Sequence, residues 1–510
     1  MKITNISFYK FILLFFLVSL LFKPIWLFNN QDLGSPGNDD LSHWLHSATL
    51  VYDFDLDYSD DYTFKSNLFN QTTKAPPHPP GAGYLSSPFV KIFSLFDKAE
   101  VTRINPVGSF AYVGFFTASL FYFLAGIYLL SKIFINRNFK NQSLILFSVL
   151  IGTLTHYLST RFLMSHAIEF FLCSALCYKF ENSYNKFLQK DLLVIFIIYF
   201  FLSITRPSTF IYSLCLLVVY IEKENFRLKN IIKLSYNFLA LVFLHVLMSQ
   251  KLYNSLTIFG NYNEVLSDQS YEFRFDIFLT NLPKLFNLFF SPSFGVIWSI
   301  PVVFFGVLSL KLIKDKNNNF TSTTFLFLYI FGALIVLMFW EGRDVAFGQR
   351  LLIGLIPFCS LQISRLLDLK YFKSIFTFFT GISYLGYIYF YTSNNLTLKR
   401  GLTLWGREVG YTGENYYIYL FQEMFFIENI VSLLGRTIYS VNFFKFVNFD
   451  TFASSLNLYK IFPKEKLDSL NELSVIYSNT PVNYLLLVNF LIVIFCVSFL
   501  LIINQSELGD

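Results

Sequence analysis

Asn38–Tyr58 reads NDDLSHWLHSATLVYDFDLDY. Two carboxylates, Asp39 and Asp40, open the stretch, and three more, Asp53, Asp55 and Asp57, alternate at its end. Between them Leu41, Trp44, Leu45, Ala48 and Val51 recur at helical spacing. Ser35-Pro36-Gly37 breaks the chain just ahead, and Asn38 or Asp39 can cap a helix. The segment is therefore predicted to be an amphipathic helix lying along a membrane surface.

The membrane comes from what lies on either side. Upstream, Phe11–Phe28 is apolar and follows Lys2 and Lys10. It has the form of a signal sequence, yet it runs on to Lys23-Pro24-Ile25-Trp26 without a clear small-residue cleavage site. An uncleaved signal-anchor span over residues 1–28 is the expectation. Downstream, the 510-residue chain is 54% hydrophobic and only 14% charged, with a mean hydropathy of +0.51. A soluble domain carries about 25% charged residues. Apolar runs recur at the length that crosses a bilayer. Twelve spans are predicted, at 9–28, 106–135, 142–159, 161–178, 192–205, 207–221, 232–250, 294–312, 323–340, 350–367, 373–391 and 482–503. The short pieces flanking Arg206 also fit a re-entrant hairpin. The fold class is all-α polytopic membrane protein.

Short loops carrying Lys132/Arg137/Lys140, Lys179/Lys186/Lys190, Lys223/Arg227/Lys229/Lys233, Lys311/Lys314/Lys316 and Arg365/Lys370/Lys373 all fall on one side if the N-terminus is cytoplasmic. That agrees with the positive-inside rule. The net charge of +6 thus marks topology, not a nucleic-acid partner. Residues 29–105 then form an external loop, 106–391 a core of about ten spans, 392–481 a second external region of unassigned fold, and 482–510 the last span and tail. The first loop holds ten acids against five bases. It faces away from the cytoplasm, so any activated donor used there must be carried by a lipid. Within it, Ala75–Gly83 (APPHPPGAG) is predicted to be rigid and non-helical, and Tyr84–Phe96 a second surface helix. The five cysteines, Cys173, Cys177, Cys215, Cys359 and Cys496, lie in apolar segments and form no CxxC pair. Structural disulfides and thiolate zinc are not expected. The abundant Phe and Tyr, 66 and 32 residues, are read as codon bias.

A carboxylate at a helix N-terminus is held ionised by the local dipole. Asp39 is therefore a candidate base. On a helix it shares a face with His43 and His46, while Asp40 points about 100° away. The Asp39/His43/His46 spacing would also tolerate a metal ion; interfacial packing of the histidines is the simpler alternative. Asp53, Asp55 and Asp57 begin like a calcium loop. Tyr58 and Phe64 stand where such a loop needs Gly and Glu, so an EF-hand is rejected. Arg161, Arg206 and Arg350 all fall at external ends of spans. Snorkelling accounts for any one of them; three on the face that holds Asp39 fit phosphate or pyrophosphate binding. His166 follows Arg161 in the same run, one turn before Glu169; packing or hydrogen bonding between helices is its simpler reading. Walker, zincin, hydrolase and dinucleotide motifs are absent.

These residues resemble a known pattern. Bacterial members of the GT-C superfamily of glycosyltransferases, in the branch of protein O-mannosyltransferases and aminoarabinose transferases, read like DGDEPHYLxxAxSLlxDGDLDLxNxY in their first external loop. Asp39-Asp40 matches the Asp-Glu, and Asp53, Asp55 and Asp57 match the DGDLD spacing. HPPG at His78–Gly81 with Pro88, MSHA at Met164–Ala167, Arg206-Pro207, SPSFGVIWSIPV at Ser291–Val302 and WEGRDVAFGQR at Trp340–Arg350, followed by Pro357, are similar to later motifs in the same order. The resemblance covers 39–357 and leaves 392–510 out. Asp40 stands for the commoner Glu, Leu41-Ser42 for Pro-His, Phe54 for the Gly of DGD, and Gln349 for the Pro before the arginine.

The resemblance implies a GT-C fold and an inverting transfer of a sugar from a polyprenyl-phosphate donor to an acceptor hydroxyl. Asp39 would be the general base and Asp40 its neighbour or an acceptor guide. Arg350, Arg206 and Arg161 would meet the donor phosphate. His43, His46, His78, Asp55 and His166 would support the acceptor and the loop. No metal is obligatory, and a divalent cation at the acidic loop stays open. The expected partners are the lipid-linked donor, an acceptor of glycolipid, glycan or protein type, and the bilayer, in a bacterial plasma membrane with the site outside. The rivals are a carrier or flippase of lipid-linked saccharide, a polysaccharide polymerase or ligase, and a non-enzymatic scaffold. A carrier of two six-span halves has internal pseudo-symmetry, and the two halves here differ.

Overall fold

The computed structural model describes residues 38–58, 75–97, 106, 109–150, 153–183, 189–217, 228–256, 284–293, 295–309, 329–334, 349–397, 402–404 and 407–409, with Tyr417, Ile418, Leu420, Phe421, Lys460 and Asp468. The predicted spans 9–28 and 482–503 and most of 323–340 lie outside the described residues, as does most of 392–481.

What is described is mostly helical. In chain order the helices are α1 (Asn38–Tyr52), α2 (Gly81–Ser94), α3 (Phe110–Asn136), α4 (Gln142–Leu150), α5 (Thr153–Thr160), α6 (His166–Ser183), α7 (Gln189–Thr205), α8 (Pro207–Ser213), α9 (Leu228–Tyr253), α10 (Lys284–Phe290), α11 (Val296–Ser299), α12 (Pro301–Leu308), α13 (Ile356–Leu366) and α14 (Lys370–Thr397). A 3-10 turn, Arg350–Leu355, leads into α13. One antiparallel hairpin, β1 (Leu402–Leu404) with β2 (Arg407–Val409), sits in the region whose fold the sequence left unassigned.

Two described helices are long and apolar enough to cross a membrane, Phe110–Asn136 and Ile232–Tyr253. They differ in surroundings. The first is 72% buried within the protein and the second only 17%. On α9 the exposed residues Tyr236, Leu239, Phe243 and Leu247 fall three or four apart and make one apolar stripe. Other predicted spans are interrupted. The 161–178 run becomes a turn, with its helix starting only at His166. The 294–312 run breaks at Ile300, where Pro301 starts a new helix because it can donate no hydrogen bond to the turn before it.

The loop helices depart from a simple surface placement. From Asp40 to Thr49, α1 is buried on every side, with Trp44 edge-on to Tyr112 of α3. The second helix begins at Gly81, three residues before its predicted start. Pro80 precedes it and accepts from Tyr84 N–H. Gly81 and Gly83 do not break the helix there; they let it pass close to its neighbours. A Cβ on Gly83 would stand 2.5 Å from His43 O and from His46 Cβ.

The long helix α3 is anchored at both ends. Its N-terminal amides at Phe110 and Ala111 donate to the Asp97 carboxylate, 2.7 and 3.0 Å, and Ser109 Oγ accepts from Tyr112 N–H. These satisfy donors that the first helical turn leaves unpaired. At its other end Arg137 grips Glu181 with two bonds of 2.5 Å. That fork joins the C-termini of α3 and α6, so these helices run parallel. Lys179 and Asp191 pair at the same end, where α7 begins. The starts of α3 and α6 and the end of α7 therefore share the opposite end.

Candidate functional site

That opposite end gathers charge. Asp40, in the first turn of α1, takes Arg161 Nε on Oδ2 at 2.5 Å. Arg161 lies in the turn between α5 and α6, 121 residues along the chain. The Asp40 side chain is 5% exposed and that of Arg161 33%, so the pair lies at the edge of the buried body. Phe162, next in the turn, sits against Tyr112 with ring centroids 4.9 Å apart, and its carbonyl accepts from Ser119 Oγ. The turn is thereby fixed to α3.

One helical turn into α6 lies Glu169, wholly buried. Its Oε2 accepts from Arg206 Nε at 3.1 Å and faces His166 Nδ1 at 3.3 Å. Its Oε1 accepts from the Thr209 hydroxyl, and the backbone N–H of Gly354 also bonds the carboxylate. Tyr212 and Thr209 hydroxyls are 3.0 Å apart; with the Thr209 proton given to Glu169, Tyr212 is the donor. Arg206 stands in the break between α7 and α8, where Pro207 at the first helical position forces the chain to turn. Arg206, Arg350 and Arg161, the three arginines singled out in the sequence, lie near enough to His166, as does His43, to bear on its charge. Asp40 holds one of them and Glu169 another.

Beside this cluster the loop is tied down by His46. His46 Nε2 donates to the His78 carbonyl at 2.8 Å, since a carbonyl can only accept. Its Nδ1, bare in the neutral ring, accepts from the Tyr58 hydroxyl at 2.6 Å. Tyr84 then donates to Tyr58 Oη, and Tyr253 of α9 also donates to His78 O. Burial pushes the His46 imidazole down to about 3, in keeping with this neutral tautomer. Both of its nitrogens are taken, so the metal alternative through Asp39, His43 and His46 loses a ligand. Among the described residues no group of three or more His, Cys, Asp and Glu is arranged for a metal ion.

The other predicted residues place as follows. Asp39 is the second residue of α1, and its side chain lies outside the described residues. His43 is buried with its ring 5.6 Å from that of His78, and His78 Nδ1 shares a hydrogen bond with Ser42 Oγ. Asp55 is exposed and accepts from Asp57 N–H, a local turn away from the cluster. Arg350 opens the 3-10 turn that carries Gly354. Trp340–Gly348 lies outside the described residues.

Glu169, Thr209 and Tyr58 carry weight that the sequence reading did not give them. For Glu169 a signal existed, because a carboxylate inside an apolar run is costly and marks function or pairing. For Tyr58 there was none in a chain with 32 tyrosines.

No protein-family model, curated protein or solved structure matches the chain.

Proposed function

We propose that the chain is a polytopic membrane protein of the GT-C type, with about twelve spans, that moves a sugar from a polyprenyl-phosphate donor to an acceptor hydroxyl on the external face of a bacterial plasma membrane. The observation that carries this reading is the convergence of the acidic loop helix and three arginines at one end of the helical body, joined by the Asp40–Arg161 pair. The apolar stripe of α9 supports the membrane setting: lipid would cover a face too large and continuous to leave in water.

In this reading Asp39 takes the proton of the acceptor hydroxyl as its oxygen attacks the anomeric carbon. The bond from that carbon to the phosphate oxygen breaks, configuration inverts, and polyprenyl phosphate leaves. A correctly held base contributes roughly 10²–10⁴-fold. Asp40 fixes the start of α1 by engaging Arg161. Arg350 and Arg206 meet the charge that grows on the leaving phosphate. No metal is required by these steps.

The test feeds purified protein with radiolabelled polyprenyl-phosphate sugars and follows release of lipid phosphate. Asp39→Asn should reduce turnover by at least about 10²-fold with folding and donor binding retained. Full activity in that variant would remove Asp39 as base. Passage of intact lipid-linked saccharide across vesicles without phosphate release would favour a carrier instead.

A further inference from the structure

Glu169 uses its carboxylate completely. Arg206 Nε and His166 Nδ1 take Oε2, the Thr209 hydroxyl takes Oε1, and the Gly354 amide adds a fourth donor. These donors come from four places in the chain: the first turn of α6, the α7–α8 break, α8, and the 3-10 turn opened by Arg350. Gly354 is fitted to this role. A Cβ there would stand 3.0 Å from Glu169 Oε1 and closer still to Thr209 and the Tyr212 hydroxyl. Meanwhile other polar atoms of this cluster are unused. Arg206 Nη2, His166 Nε2 and the neighbouring Ser165 Oγ are buried and have no hydrogen-bond partner among the described residues. A guanidinium held by Nε keeps its Nη groups for a second, anionic partner.

We infer that Glu169 is a positioning residue for phosphate recognition. It aims Arg206, and the turn that carries Arg350, at the phosphate of a lipid-borne ligand. This inference rests on the phosphate-donor reading given above. It assigns a role to a residue of the same sign as the ligand, and that makes it testable. If Glu169 acted on the ligand only through its charge, it would repel an anion. Neutralising it would then tighten phosphate binding. If it acts by holding Arg206, neutralising it weakens phosphate binding.

The experiment titrates the full-length protein in detergent with farnesyl phosphate and, separately, with farnesol, by calorimetry. The wild-type protein should prefer the phosphate by at least about tenfold. Glu169→Gln should lose about tenfold in affinity for farnesyl phosphate, the size expected when a hydrogen bond to a charged group is lost, and leave farnesol binding within about twofold. Unchanged or tighter phosphate binding in Glu169→Gln overturns the positioning role, as does equal weakening toward both probes. Absence of any phosphate preference in the wild type overturns the underlying reading and the inference with it. If Glu169→Gln does not fold, Thr209→Val decides. It keeps the charge and removes one donor, and should weaken farnesyl phosphate binding about threefold; no change there overturns the inference. In an Arg206→Gln background the effect of Glu169→Gln should vanish, and additive losses would show that the two residues act separately.

Discussion

The imidazole of His46 is held neutral by what surrounds it. Its Nε2–H meets the His78 carbonyl and its Nδ1 the Tyr58 hydroxyl, so a second proton would cost the bond from Tyr58. Burial is the larger cause of its low proton affinity, with the imidazole pushed down to about 3. In the unfolded chain the same group titrates near 6.5. Between these values the unfolded state binds more protons than the folded state, so stability rises with pH across the window and is complete above about 6.5. Acidification from pH 6.5 towards 4.5 should cost stability through this residue with a slope that reaches about 1.4 kcal/mol per pH unit below about pH 5.5. Denaturation in detergent at a series of pH values measures that slope. His46→Gln keeps one donor and one acceptor but cannot titrate, and its slope should be flatter by that amount. An identical slope in the variant would show that His46 is not the titrating group. The sequence placed His46 on the Asp39 face and gave it a supporting role. It could not reveal the partners, which lie 12 and 32 residues away and include a backbone carbonyl. Phe54 shows the converse. The resemblance marked it as standing where Gly is usual, and its backbone indeed has a positive φ of 59°, a conformation that side chains with a Cβ adopt at a cost.

At the scale of elements, close helix approach depends on two glycines in APPHPPGAG. Gly83 lets α2 cross α1 with no room for a side chain, directly behind His43 and His46. Gly83→Ala drives a methyl into His43 O and Ser47 N, which are backbone atoms and cannot swing away. Overpacking of this kind costs roughly 1–3 kcal/mol. It should also displace α1, so a fall in melting temperature should be accompanied by loss of the sugar-transfer activity proposed above. Gly381 in α14 is the control, because a Cβ there meets nothing within 4 Å. Gly381→Ala should be neutral or stabilise by up to about 1 kcal/mol, the helix-propensity difference. A Gly83→Ala protein as stable as the wild type would refute the tight crossing. The helix α1 was readable because apolar residues recur at 3.6 spacing, and α3 because its apolar run is long enough to cross a bilayer. The early start of α2 was not. Two prolines and two glycines argue locally against helix, and only the close neighbours, Thr205 at Gly81 and His43 at Gly83, explain why a helix start without side chains at these positions belongs there.

At the scale of the whole molecule, two ends can be told apart by their chemistry. The fork of Arg137 on Glu181 and the Lys179–Asp191 pair mark one end; Asp40, Arg161, Glu169 and Arg206 mark the other. The 27 residues of α3 span about 40 Å at 1.5 Å per residue, more than the ~30 Å hydrocarbon layer, so both ends of this helix would reach the aqueous phases. The order of apolar runs and the placing of lysines were legible in the sequence and gave this orientation. The convergence of Asp40 on Arg161 across 121 residues was not, since no local pattern encodes it. If the loop end is external, a cysteine at Leu95, which is 74% exposed at the end of α2, should react in intact cells with a maleimide that does not cross membranes. A cysteine at Lys140, just past the Arg137 end and exposed, should react only after permeabilisation. The native cysteines described are buried or half-buried, so background labelling is low and each variant reports its own site. The reverse pattern would put the acidic loop in the cytoplasm, where soluble nucleotide sugars are available, and would remove the reason for a lipid-linked donor. Labelling of both cysteines in intact cells would contradict a membrane-crossing α3 altogether, leaving the apolar stripe of α9 to be covered by protein instead of lipid.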